Sequence, residues 1–221
     1  AKEVRDEVVA LLQKCTKPVV AIFLGEKPEN HEGKVYLAHT LEETARMAVD
    51  LANGDPIKDN YCDPIDYEVS RPLAADKTVK GLYSGGSLAA EAGMLIAEAL
   101  NLGGLIKEEG YILKTGGYEV VDLGDDVYTQ GKPHPMIDPE VRIKKILECA
   151  KDPQTGVILL DCMLGYGCHP DMAGALAPAI REAQKIAKAD GRELYFVASV
   201  CGTRQDPQDY DRAVAELKEC G

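Results

Sequence analysis

The sequence predicts an α/β fold in which a parallel β-sheet is wrapped by helices on both faces. From residue 79 onward, short apolar runs alternate with helical patterns, the order expected of parallel strands joined by right-handed crossovers. The clearest of these runs, 155–162, is almost continuously apolar, as in strands buried on both faces of a sheet. With 221 residues and 45% hydrophobic content, the chain is long enough to bury such a core.

Three segments follow one another in the first 53 residues. Residues 2–15 place apolar side chains at helical spacing, and 18–25 is an apolar run closed by glycine, which is typical of a buried strand. Thr-Leu-Glu-Glu at 40–43 matches the capping box of a second helix. One strand and two helices are too few for an independent core, so we interpret 1–53 as a piece of a preceding domain.

The remaining residues divide into a linker and a main domain. Residues 54–78 carry three X-Pro steps and few periodic apolar residues, a composition that favours a connector. The main domain is therefore expected to span 79–221. Its predicted strands are 80–83, 118–124, 155–162 and 194–201, and its predicted helices are 87–101, one beginning at Asp138-Pro139, one ending near 188 and one beginning near 206.

The most informative segment is the turn between the first strand and the first helix of the main domain. Ser84-Gly85-Gly86-Ser87 stands where backbone N–H groups point off a helix N-terminus, whose partial positive charge favours an anion. The two glycines tolerate φ > 0 and close approach of a ligand, and either serine could cap the helix. We predict that these four residues bind a phosphate or a carboxylate. An ordinary strand-to-helix turn with a serine cap is the alternative.

Two histidines lie in loops that follow predicted strands. His134 is flanked by prolines, and His169 stands just before a helix start. Since the carboxyl ends of parallel strands meet at one edge of a sheet, both are candidate catalytic residues, as a general acid or base or as a phosphate ligand. The alternative for each is a loop histidine that hydrogen-bonds its own turn.

One arginine also belongs to this predicted edge. Arg204 follows the last strand, where a guanidinium can pair bidentately with a carboxylate or phosphate. We therefore predict that Arg204 contacts the anion held at the 84–87 turn. The alternative is a surface ion pair with Asp206 or Asp209.

Four aspartates near the strand ends offer the oxygen ligands that Mg²⁺ prefers. Their spacing matches neither an EF-hand nor any other metal motif, so turns capped by aspartate are the favoured interpretation and no metal site is predicted. These residues are Asp122, Asp125, Asp126 and Asp161.

Composition excludes several classes of partner. A formal net charge of −12 argues against nucleic acid and anionic membrane surfaces. The seven cysteines are odd in number and form no Cys-x-x-Cys pair, which favours buried free thiols in a reducing compartment. No apolar run approaches the length of a membrane span. We expect a cytoplasmic protein that contacts neither membrane nor nucleic acid.

Three motifs together resemble a known family. VDLGDD, KPHPMIDPE and GVILLDCMLGYGCHPD occur in this order, and the segment 79–221 resembles the C-terminal part of FdrA proteins, which are related to succinyl-CoA synthetase and other NDP-forming acyl-CoA synthetases. The resemblance implies a flavodoxin-like CoA-ligase-type domain with a phosphate site at Ser84, Gly85, Gly86 and Ser87. Residues 1–53 resemble the end of a preceding synthetase-like domain, as expected if the chain is a fragment.

The resemblance also has limits. The Gly-His-Ala-Gly setting of the synthetase phosphohistidine is absent from the sequence, as are an ATP-grasp segment and the glycine fingerprint of a CoA-binding Rossmann domain. We therefore expect this chain alone to be inactive. CoA, nucleotide or Mg²⁺ would belong to a longer parent protein. A small phosphorylated or carboxylate substrate, other domains of that parent, and further copies or partner subunits are the partners that the resemblance implies.

Three functions stay open at this point. The first is acyl-CoA synthetase-like acyl transfer through a phosphate anhydride, which follows from kinship with the ligases. The second is a role as subunit of an oxamate carbamoyltransferase that uses carbamoyl phosphate in allantoin and purine breakdown, an activity linked to FdrA proteins. The third is a non-catalytic domain that binds phosphate or forms a subunit interface.

Overall fold

A computed structural model describes residues 2–26, 28, 33–58, 61 and 73–220. The chain divides into two compact units, residues 1–70 and 71–221. Most of the predicted 54–78 linker lies outside the described residues. No helix among the described residues is both long enough and apolar enough to cross a membrane.

The first unit is a small α/β arrangement around a two-stranded parallel sheet. The predicted cap is confirmed for Thr40, which accepts the Glu43 N–H at 3.1 Å, whereas the Glu43 carboxylate accepts the N–H of His39, one residue before the cap, at 2.6 Å. The predicted α-β-α order was incomplete, since a second strand pairs with the first. Its elements in order are α1 (Lys2–Leu12), β1 (Val19–Ile22), β2 (Val35–Ala38) and α2 (Leu41–Asn53).

The second unit contains all the predicted strands of the main domain and two elements that the sequence did not predict. These two are a strand in the glycine-rich stretch after the first helix, where alternation of apolar residues is weak, and a four-residue helix between the second predicted strand and the next predicted helix. The elements in order are β3 (Thr78–Tyr83), α3 (Gly86–Leu100), β4 (Tyr111–Thr115), β5 (Tyr118–Asp122), α4 (Asp126–Thr129), α5 (Glu140–Lys151), β6 (Thr155–Met163), α6 (Met172–Ala189), β7 (Tyr195–Cys201) and α7 (Tyr210–Glu219).

The five strands of this unit form one sheet in the order β4-β5-β3-β6-β7. Four of them are parallel, as predicted, and β4 adds an antiparallel edge by forming a hairpin with β5. Because β3 lies between β5 and β6, the chain leaves β3 in one direction along the sheet and later returns past it. Right-handed crossovers then place α3 and α5 on opposite faces. This is the flavodoxin-like architecture that the resemblance implies.

Apolar side chains fill both layers. One cluster lies between the sheet and α5, α6 and α7 and includes Ile146, Ile158, Leu160 and Ile180, none more than 2% exposed. A smaller cluster under α3 includes Ala89, Leu113 and Val120. The described cysteines are free, as predicted, but only Cys162 and Cys220 are buried, and Cys15 is exposed.

Candidate anion-binding site

The N-terminus of α3 lies at the carboxyl end of β3, as predicted. Its N-cap is Gly85, and no side chain among the described residues caps the helix, so neither serine has the capping role that was open to it. The glycines do not use their tolerance of φ > 0, because Gly85 is extended at φ −160° and Gly86 is the first helical residue. The first N–H groups of a helix have no acceptor within it. Since Gly86 and Ser87 are exposed, this end of α3 is open to a ligand.

Glycine at position 86 is required by a close approach and not by its backbone angles. A β-carbon added there would lie 2.8 Å from Oδ2 of Asp122, at the end of the neighbouring strand β5. At Gly85, an added β-carbon meets nothing within 4 Å. The two adjacent glycines therefore differ in function: only the second one makes room for a side chain.

Ser84 turns inward instead of toward a ligand. It is fully buried, and its N–H donates to both carboxylate oxygens of Asp161, at 2.9 and 3.1 Å. Its hydroxyl donates to Oδ2 of the same carboxylate at 2.6 Å. Because both of its donors are engaged by Asp161, Ser84 ties the turn to β6, and the donors left for an anion are those of the following residues.

A buried arginine holds Asp161 in place from the opposite side. Arg142, on α5, donates through Nη2 to Oδ1 of Asp161 at 2.8 Å and also to its carbonyl oxygen. Neither side chain is more than 1% exposed. Burial lowers the pKa of Arg142, and the Asp161 carboxylate opposes that shift. The result is a chain of polar contacts from α5 through β6 to the turn that begins α3.

Sequence reasoning missed Arg142 because it followed only the apolar residues of this helix. The signal was present, since Arg142 stands four and eight residues before Ile146 and Ala150, which are buried on the same face. A charged residue in register with a buried stripe indicates a buried ion pair. The predicted N-cap of α5 was also off by one: the cap is Pro139, while Asp138 accepts the Glu140 N–H at 2.9 Å.

Three groups from different segments converge on Gly124, just after β5. A β-carbon added to Gly124 would lie 2.6 Å from Nε2 of His134, 2.7 Å from the carbonyl oxygen of Ser84 and 3.1 Å from Oδ1 of Asp122. Asp122 also accepts the Gly124 N–H at 2.8 Å. A carboxyl group and an imidazole therefore meet beside the open end of α3.

Burial raises the pKa of the Asp122 carboxyl group above its ordinary value. The negative charges of Asp125 and Asp161 also raise this pKa. The hydrogen bond from the Gly124 N–H and the nearby His134 lower it. A carboxyl group that holds its proton more tightly in the folded protein is a recurring feature of functional sites.

This shift predicts a pH-dependent change in stability. The folded state binds the Asp122 proton more tightly than the unfolded chain, so this contribution stabilises the fold below the ordinary carboxyl pKa and is lost as the pH rises through the raised value. We expect Asp122→Asn, which keeps an acceptor for Gly124, to raise the urea midpoint at neutral pH. The difference from wild type should vanish near about pH 3. A lower midpoint for the variant at neutral pH would contradict this.

The two predicted histidines occupy adjacent loops. Nδ1 of His134 accepts the Met136 N–H at 3.2 Å, and the backbone N–H of His169 donates to the Met136 carbonyl at 2.7 Å. Nδ1 of His169 accepts the N–H of Asp171 at 3.0 Å. Each ring thus bonds its own turn through Nδ1, which leaves Nε2 as the nitrogen available for chemistry. Of the two histidines, only His134 lies beside Asp122, because both side chains approach Gly124.

Arg204 has a different partner from the one predicted. It forms a bidentate pair with Asp211, at 2.8 and 2.9 Å, and its side chain is 75% exposed. The predicted neighbourhood is correct, because β7 pairs with β6, but the guanidinium is engaged by α7. Gln208, which the sequence did not single out, instead joins the loops after β6 and β7 by bonding Gly165 and the carbonyl of His169.

The aspartates at this edge of the sheet accept hydrogen bonds from backbone N–H groups of the protein. Asp125 caps α4 by accepting the Val127 N–H at 3.0 Å, while Asp122 and Asp161 accept the N–H groups described above. Among the described residues, no three or more histidine, cysteine, aspartate or glutamate side chains are grouped so that they could hold a metal ion.

Comparison with known proteins identifies the class to which this fold and edge belong. The model of the CoA-ligase family matches residues 82–221, which begin within β3 and include the whole edge described above. The chain therefore belongs to the CoA-ligase family, and its main unit has the fold of the acyl-CoA synthetase-like ligases.

One curated relative extends the comparison to the entire chain. The protein described as "Uncharacterized protein YahF" from Escherichia coli (strain K12) is 34% identical over 238 residues, covering 100% of this chain and 45% of that protein. The chain thus spans less than half the length of this relative. Kinship with FdrA proteins in particular stays a prediction.

Proposed function

We propose that this chain supplies the phosphate-binding part of an acyl-CoA synthetase-like ligase that transfers an acyl group by way of a phosphate anhydride. The observation that carries the proposal is the open N-terminus of α3, which is exposed and has no side-chain cap, at the edge of a CoA-ligase domain. The N–H groups of Gly86 and Ser87 would bind phosphoryl oxygens there.

Electrostatics supports this role for α3 over α6, the helix that follows β6. The first turn of α3 carries no acidic residue, so its partial positive charge is not offset from within the helix. The N-terminus of α6 is capped by the Asp171 carboxylate, which accepts the Gly174 N–H at 3.0 Å. The N-terminus of α6 is therefore already occupied by a carboxylate from its own cap, whereas the first turn of α3 keeps its N–H groups for a ligand.

His134 is the side chain we assign to proton transfer in this site. Its Nε2 lies beside Gly124 and Ser84, within the same edge as the open helix end. In acyl transfer from an acyl phosphate, the attacking nucleophile loses a proton and the released phosphate gains one, so a positioned acid or base accelerates the reaction. His169, whose ring is not among the side chains that approach Gly124, is the weaker candidate. Coenzyme A and nucleotide would enter as substrates of the longer protein.

The adjacent glycines offer a matched test of the binding proposal. We expect the 221-residue chain to bind acetyl phosphate and inorganic phosphate in calorimetric titrations. Gly86→Ala should weaken this binding about ten- to a hundredfold, the loss of one charge-assisted hydrogen bond. The new β-carbon would stand 2.8 Å from Oδ2 of Asp122, a carboxyl group that the Gly124 N–H holds through Oδ1, so the first residue of α3 shifts and its N–H group is misplaced. Gly85→Ala, which meets no neighbour, is the control and should bind nearly as wild type does.

The outcomes separate the open functions. Binding of acetyl phosphate that Gly86→Ala weakens supports the ligase role, whereas selective binding of carbamoyl phosphate would favour carbamoyl transfer. If wild type binds none of these anions, or if both glycine variants bind equally well, the site is not at α3 and the proposal fails.

A further inference from the structure

We propose that Asp122 couples ligand binding at this edge to the uptake of one proton, so that a dianionic phosphoryl group is bound together with the protonated carboxyl group. This inference rests on the proposed function, because it concerns the same site. It assigns a ligand class and a chemical role to a residue that the sequence offered only as a capped turn.

The inference begins from the position of the carboxyl group. Oδ1 of Asp122 is engaged by the Gly124 N–H at 2.8 Å, whereas Oδ2 approaches the first residue of α3, 2.8 Å from the point where a β-carbon of Gly86 would stand. An anion bound by the first N–H groups of α3 would therefore lie against Oδ2. Two negative charges cannot occupy such close positions without a large cost.

The charged groups that face Asp122 make protonation the way to avoid that cost. Asp125 follows it in the chain and Asp161 lies on β6, and both are acidic. His134 supplies the opposing charge, and the first turn of α3 contributes no ionisable side chain. Burial already raises the pKa of Asp122, so adding an anion to this set favours the neutral acid still further.

Protonation also converts a repulsive group into a binding group. A neutral carboxyl group has an O–H that donates a hydrogen bond, while a carboxylate can only accept. The Asp122 O–H would donate to a phosphoryl oxygen, beside the N–H groups of α3. A dianionic ligand would be selected at lower pH, and its affinity would fall as the pH rises.

Calorimetric titration with sulfate tests this directly, because sulfate remains a dianion across the range in which side chains titrate. The full 221-residue chain is titrated between about pH 5 and 8 in pairs of buffers that differ in ionisation enthalpy, which yields the number of protons taken up. We expect about one proton per sulfate and an affinity that falls about tenfold per pH unit above the pKa of Asp122. Asp122→Asn should abolish both the uptake and this dependence.

Two further variants locate the proton. Asp125→Asn removes the same charge from a side chain that caps α4, and it should keep the proton uptake. His134→Gln removes the imidazole and should also keep it. Carbon-13 NMR of the Asp122 carboxyl group during the sulfate titration of wild type gives an independent readout that does not depend on a variant.

These experiments distinguish failure of the proposed role of Asp122 from failure of the anion site itself. Sulfate binding without proton uptake, or with uptake unchanged in Asp122→Asn, overturns the role of Asp122 and leaves the anion site standing. If proton uptake disappears in His134→Gln but not in Asp122→Asn, the proton is taken up by the imidazole, and the role of Asp122 is again overturned. Failure of wild type to bind sulfate and acetyl phosphate overturns the proposed function itself.

Discussion

Asp161→Ala should lower the free energy of unfolding by about 3–5 kcal/mol, the cost of breaking a buried ion pair by removing one partner. The variant leaves the fully buried Arg142 guanidinium without its carboxylate, and Nε and Nη1 of that arginine already have no acceptor among the described residues. Ser84 also loses the acceptor of both its donors. Urea denaturation followed by circular dichroism measures the change.

Two controls separate charge burial from the loss of any ion pair. Asp211→Ala breaks an arginine–aspartate pair of the same chemistry at the surface, with Arg204, and should leave the urea midpoint almost unchanged. Adding Arg142→Met to Asp161→Ala removes the unpaired buried charge and should recover part of the lost stability. If Asp161→Ala and Asp211→Ala were equally mild, the buried chain of contacts would not stabilise the turn.

The second large effect is expected at Gly124. Gly124→Ala places a β-carbon within 3 Å of the Ser84 carbonyl oxygen and of the His134 ring, and the backbone atom cannot move without shifting the turn that begins α3. We expect a loss of about 1–3 kcal/mol in unfolding free energy, typical of overpacking. Sulfate binding should weaken at the same time, because a shift of that turn misplaces the first N–H groups of α3.

Gly104→Ala is the matched control for this substitution. Gly104 lies in the loop between α3 and β4, and an added β-carbon there meets nothing within 4 Å. Its stability and its affinity for sulfate should both stay close to those of wild type. Full sulfate affinity in Gly124→Ala would show that the convergence on Gly124 does not shape the binding site.

The strands that carry the site were predictable because their signals are local. The runs ending at Tyr83, Cys162 and Cys201 are apolar for long enough to indicate buried strands, and the structure places them at or within two residues of the predicted bounds. The strands β2 and β4 were missed because each is short and follows polar or glycine-rich sequence. Their pairing partners, and not their own composition, make them strands.

The details of the turn could not be predicted in the same way. Glycine at 85 and 86 indicated conformational freedom, yet neither residue adopts a positive φ. The requirement at Gly86 arises from Asp122, which is 36 residues away in the sequence and reaches the turn only because β5 pairs with β3. Ser84, which the sequence offered as a helix cap, instead donates to Asp161, because β6 lies on the other side of β3.

Periodicity and turn composition depend on neighbours along the chain, so they were enough to predict a parallel α/β domain with polar strand ends and a glycine-rich turn before a helix. Which polar residues act together depends instead on how the strands are ordered in the folded sheet. Strand order brings Asp122, His134 and Asp161 to one turn and gives Arg204 to Asp211. Burial and pairing of charged groups depend on distances in space, and these are set when the sheet assembles.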